Sequence, residues 1–68
     1  MSTGDFAVRL KAARKLSGLS REKLSRAVEC SARTIEGYEA GTSEPNVTRL
    51  KALAKALDVP ASKLLGDA

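Results

Sequence analysis

Residues that start and stop helices recur along this chain at intervals that leave room only for short helices. Asp5, Ser20, Ser31 and Asn46 carry short side-chain oxygens that can accept from the free amides of a first helical turn. Gly18, Gly41 and Gly66 suit the left-handed conformation just past a helix end. Between these marks the apolar residues recur every three or four positions, the period of a helix face. The spacing predicts a first helix over Asp5 to Leu16, capped by Asp5, with Phe6, Leu10 and Ala13 turned inward. A second begins after Ser20 and ends near Glu29, with Leu24, Ala27 and Val28 as its buried stripe. Its capping box is incomplete, because Lys23 stands where a glutamate would reach back. Ser31 caps a third helix over Ala32 to Glu39, with Ile35 and Tyr38 inward and Gly41 as its stop. Gly37 lies inside that helix at a cost of about 1 kcal/mol relative to alanine. After a polar loop, Thr42 to Pro45, Asn46 caps a fourth helix carrying Val47, Leu50, Leu53, Ala54 and Leu57. Pro60 suits the first turn of a fifth, which ends at Leu65. No alternating strand pattern, internal repeat or low-complexity stretch interrupts this order.

Composition narrows what such a bundle can do. At 68 residues the chain is expected to form a single domain over residues 1–68, with its folded core at about 6–65. Cys30 is the only cysteine and there is no histidine, so neither a disulfide nor a four-ligand zinc site is expected. No cofactor is expected either. The commonest general base is missing, and no phosphate-cradling glycine loop or recognisable carboxylate pair replaces it, so the chain reads as a non-enzyme. A lone thiol suits a reducing compartment. No apolar run approaches the roughly 20 residues of a membrane span. Met1 to Asp5 also lacks the charged-then-apolar pattern of a signal peptide. A cytoplasmic location without a membrane partner is the expectation.

Charge is unevenly spread. Residues 1–28 hold seven basic side chains (Arg9, Lys11, Arg14, Lys15, Arg21, Lys23, Arg26) against Asp5 and Glu22, a balance of +5. Residues 29–46 hold Arg33 against Glu29, Glu36, Glu39 and Glu44, a balance of −3. The whole chain carries +4, which favours polyanionic partners such as nucleic acid.

The most informative unit spans Ser20 to Gly41: two short helices joined by about three residues, a connection that forces a steep angle between them. Packed through their apolar stripes, they leave the outer face of the third helix projecting, where a DNA major groove can receive it. Leu10, Arg14, Gly18-Leu19-Ser20, Leu24, Ser31, Ile35, Glu39, Gly41, Pro45, Leu50, Leu53-Ala54, Leu57, Val59 and Leu64 stand in a characteristic order and spacing. In these residues the chain resembles the lambda repressor and Cro type of helix-turn-helix, the Xre family, over about residues 6 to 65. The resemblance implies an all-α, compact five-helix lambda repressor-like bundle with helices 2 and 3 as the helix-turn-helix. It also implies a repressor-like transcriptional regulator that binds a double-stranded DNA operator as a homodimer.

Position by position, the resemblance implies roles for particular residues. Arg14 and Glu39 match a structural pair that ties the first helix to the end of the third. Ala32, Arg33, Thr34 and Gly37 fall where the family reads bases, and the fork of Arg33 matches guanine O6 and N7. Arg21 stands where glutamine is usual and approaches a phosphate. Ser31, Gly41, Thr42, Ser43 and Asn46 match the segments whose amides and short side chains meet phosphates, contacts that set register rather than sequence. Ala32 and Gly37 bring little base-reading chemistry, and this keeps a second reading open: a protein-interaction module of the same fold, of antitoxin or coactivator type, with a protein partner. Val59, Pro60, Leu64 and Leu65 are candidates either for a dimer interface or for the core. Tyr38 is expected in the core, and Cys30, where valine is usual, is expected to be buried and inert. Glu29 replaces the usual turn glycine and is expected to bear the strain of a left-handed backbone.

Overall fold

The computed structural model describes residues 3–66. Five helices succeed one another: α1 Thr3–Ser17, α2 Arg21–Ala27, α3 Ala32–Ala40, α4 Val47–Leu57 and α5 Ala61–Leu65. There is no strand among the described residues. Three of the expected caps form. Ser20 Oγ accepts from the Lys23 amide at 3.1 Å, Ser31 Oγ from the Thr34 amide at 3.1 Å, and Asn46 Oδ1 from the Arg49 amide at 2.8 Å. Asp5 is not a cap. α1 starts two residues earlier, so Asp5 sits in its first turn and pairs with Arg9 one turn on, at 3.4 Å. Pro60 precedes α5 as its cap residue rather than entering its first turn.

One device ends four of the five helices. At Gly18, Glu29, Gly41 and Asp58 the backbone turns left-handed, with φ of 77°, 57°, 79° and 57°. Each of these residues donates its amide to a carbonyl three residues back, and the next residue donates five back. This Schellman arrangement satisfies carbonyls that the helix end leaves open. It also turns the chain back toward the bundle. Leu19, Cys30 and Val59 each come directly after a left-handed residue, and each packs against the core. Cys30 is half-buried rather than fully buried. Glu29 adopts the strained conformation at the end of α2, and Asp58 does the same after α4, a position whose sequence carries no glycine to announce it.

Every helix contributes a fully buried side chain to one core: Phe6 and Leu10 from α1, Leu24 from α2, Ile35 from α3, Leu53 from α4 and Leu64 from α5. Each such burial is worth roughly 1.5–3 kcal/mol. α1 packs against α3 and α5, while α2 packs against α3 and α4. Leu64 is thus core and unavailable to a partner, while Val59 and Leu65 are half-buried and Pro60 is exposed. Two other expectations fail. Ala27 faces solvent, and Ser25 is buried in its place because its hydroxyl donates to the Glu22 carbonyl at 2.7 Å. A buried hydroxyl with a partner avoids the desolvation penalty of an unpaired one. Val47, at the first turn of α4, is also exposed.

Candidate nucleic-acid interface

The four residues Val28 to Ser31 separate α2 from α3. Their brevity makes α3 cross α2 closely, with Ile35 and Tyr38 driven into the core. The opposite side of α3 is consequently open. Arg33, Glu36 and Ala40 are exposed there, and Ala32, Thr34 and Gly37 are half-buried. Arg33, Glu36, Gly37, Ala40 and Thr42 line a shallow depression on this side. At the start of the helix the Ser31 and Thr34 hydroxyls lie 2.9 Å apart, so Ser31 both caps α3 and holds Thr34.

Gly37 permits a close approach of backbone and loop. The Thr42 amide donates to the Gly37 carbonyl at 3.1 Å, and Thr42 Oγ1 donates to the same oxygen at 3.2 Å. A Cβ at Gly37 would lie 2.9 Å from Ser43 Oγ. The loop after α3 therefore lies across the middle of its outer side, which brings Thr42 and Ser43 next to Arg33 and Gly37 on one surface. Gly41, Thr42, Ser43 and Asn46 continue that surface, with the last three exposed.

Behind the surface lies a charge cluster that ties three helices together. Glu39, with a side chain only 2% exposed, receives Arg14 from α1 through two bonds, Nε to Oε2 at 2.6 Å and Nη2 to Oε1 at 3.2 Å. Arg14 also donates to the Leu19 carbonyl at 3.0 Å. The first residue of α2, Arg21, donates its Nε to Glu39 Oε1 at 3.1 Å. Burial, the largest single influence on Glu39, pushes its carboxyl up. The hydrogen bonds and charges of Arg14 and Arg21 together outweigh burial and hold it below its ordinary value. The expected partnership of Arg14 and Glu39 thus has a third member. Arg21 and Glu39 lie 18 residues apart, and neither periodicity nor spacing connects them. The available signal was a guanidinium in place of the usual amide at the start of α2, facing the end of a helix that α2 packs against.

No group of three or more metal-ligating side chains occurs among the described residues, and no described helix is long and apolar enough to cross a membrane.

Comparison with known proteins agrees with this geometry. A family model described as helix-turn-helix matches residues 10–64. An uncharacterised HTH-type transcriptional regulator from Sinorhizobium medicae is 33% identical over 60 residues, which is 88% of this chain and 43% of that protein. A regulator from Rhizobium meliloti matches with the same figures. The chain therefore spans less than half the length of these curated relatives. Among solved structures, the DNA-binding domain of the P22 C2 repressor superposes with a TM-score of 0.89 at 33% identity, covering 98% of this chain and 88% of that one. The restriction-modification controller protein C.AhdI from Aeromonas hydrophila superposes with a TM-score of 0.87 at 29% identity, covering 91% and 90%.

Proposed function

This chain belongs to the helix-turn-helix family, and on that premise we propose that it is a transcriptional regulator, repressor-like, that binds double-stranded DNA with α3 in the major groove. The observation that carries the reading is the two-sidedness of α3. Its inner face is core, its outer face is open, and Arg33 stands exposed near its N-terminal end. A helix anchored in this way enters the groove with its first turns toward the base edges. Arg33 donates its fork to a guanine, and Thr34 meets a base edge or a thymine methyl. Ala32 and Gly37 bring the backbone close without adding a reading group. Arg21, Ser31, Gly41, Thr42, Ser43 and Asn46 hold the flanking phosphates and set the register. With only Arg33 and Thr34 carrying base-reading chemistry, specificity leans on the sequence-dependent shape of the duplex.

The relatives support this reading by their descriptions, which are those of transcriptional regulators, of a repressor's DNA-binding domain and of a controller protein. A homodimer places two copies of α3 about 34 Å apart, one turn of DNA. The competing reading, a protein-interaction module, is favoured by the small side chains at Ala32 and Gly37. Fluorescence anisotropy of a labelled duplex at several salt concentrations separates the two. DNA binding through phosphates makes the logarithm of the affinity fall linearly with the logarithm of salt. No binding at low salt, or binding that ignores salt, rejects the DNA reading.

A further inference from the structure

The two arginines on Glu39 are not equivalent. Arg14 is enclosed, its side chain 10% exposed, and its guanidinium serves both Glu39 oxygens and the Leu19 carbonyl. Arg21 is 41% exposed at the edge of the same carboxylate, and it reaches Glu39 through Nε alone. A guanidinium is a planar fork with five donors, so one bound through Nε still presents its two terminal amino groups along another edge. Two cations around one carboxylate also leave the cluster with one unit of positive charge uncompensated. An anionic oxygen placed at the outer edge of Arg21 completes both the hydrogen bonding and the charge.

We infer that Glu39 is a positioning residue for Arg21, holding the guanidinium on α2 so that its outer edge receives one DNA backbone phosphate. The inference rests on the DNA-binding reading above. Because Arg14 and Arg21 bind the same carboxylate, the setting of α3 and the grip on that phosphate depend on one another. A long side chain already fixed in its binding geometry loses less freedom on association than a free one. The arrangement needs an arginine: lysine would supply the charge but not the fork that serves two oxyanions together.

The test is a double-mutant cycle of Arg21→Ala and Glu39→Gln, read as affinity for a mixed-sequence duplex between about 50 and 200 mM salt, where phosphate contacts dominate. Arg21→Ala is expected to weaken binding roughly tenfold, the scale of one charge-assisted hydrogen bond, and to lower the salt slope by about one. Glu39→Gln is expected to weaken the unaltered protein more than it weakens Arg21→Ala, where only its effect through Arg14 and α3 remains. Equal weakening by Glu39→Gln in both backgrounds would mean that Glu39 acts only through α3, and would overturn the inference. Tighter binding by Glu39→Gln would overturn it too, since Glu39 would then be holding Arg21 away from DNA. Arg21→Lys, on a partly exposed side chain, does not depend on Glu39→Gln folding: it should keep the salt slope and lose affinity. If Arg21→Lys binds as tightly as the unaltered protein, the fork is irrelevant and the inference falls. Failure of the unaltered protein to bind any duplex is a distinct result that rejects the DNA reading itself.

Discussion

Replacing Glu29 by glycine should raise the melting temperature, and the size of the effect can be worked out from the backbone. Glu29 has φ of 57° and is exposed. A side chain in the left-handed conformation costs roughly 1–2 kcal/mol. Glycine removes that cost but gives the unfolded chain more freedom, which offsets about 0.4–1 kcal/mol. Around the middle of these two ranges the net gain is about 0.5–1 kcal/mol, and for a chain of this size each kcal/mol moves the melting temperature by about 4–8 °C. Thermal unfolding monitored by far-UV circular dichroism should therefore show a rise of about 2–8 °C. The two capping bonds around the turn, from Glu29 to the Arg26 carbonyl and from Cys30 to the Ser25 carbonyl, involve backbone only and survive the change. Glu29→Ala is the control, because alanine keeps the Cβ that causes the strain and should gain nothing comparable. An unchanged or lower melting temperature for Glu29→Gly would refute the reasoning. An equal gain from Glu29→Ala would also refute it, by placing the effect in the side chain.

Asp58→Gly should stabilise less than Glu29→Gly, since aspartate tolerates the left-handed region better than glutamate. The same thermal scan checks that order. Glu39 has a depressed pKa in the folded state, so its contribution is present above its ordinary value near 4.5 and is lost as pH falls through the lowered one. Urea unfolding as a function of pH should accordingly show a smaller acid-side loss for Glu39→Gln than for the unaltered domain, and parallel curves would contradict the charge cluster. Gly37→Ala should leave the melting temperature unchanged or higher, because alanine favours the helix by about 1 kcal/mol and the Ser43 hydroxyl can rotate away. It should weaken duplex binding, because the Ser43 hydroxyl must turn from its place over α3. A fall in stability with binding intact would reverse that assignment.

Local features were the ones legible in the sequence. Ser20, Ser31 and Asn46 could be read as caps because a cap acts within three residues of itself, and Gly18 and Gly41 as stops for the same reason. Period and caps together placed α2, α3 and α4 within a residue or two. Features decided by tertiary packing were harder. Ser25 and Ala27 exchanged roles because the packing angle of α2, and not polarity, determines which position points inward. The sequence left Leu64 open between core and dimer interface, and the packing of α1 and α4 against α5, which buries it, decides for core. Asp58 gave no sign of a left-handed turn, because aspartate is as common in ordinary loops. In the candidate interface, the open face of α3 and its residues were readable from the period. The laying of Thr42 and Ser43 across Gly37, and the sharing of Glu39 by Arg21, depend on distances between elements that no spacing encodes.

The central claim is that the open face of α3 reads DNA through Arg33. Selection of bound duplexes from a random-sequence pool, run side by side with the unaltered protein and with Arg33→Ala, tests it most directly. A defined site with two-fold symmetric halves is predicted for the unaltered protein. For Arg33→Ala the prediction is relaxation at one base pair per half-site, with a loss of roughly 1–3 kcal/mol against the selected site. No enrichment from the pool, or an identical site selected by both proteins, would contradict the claim.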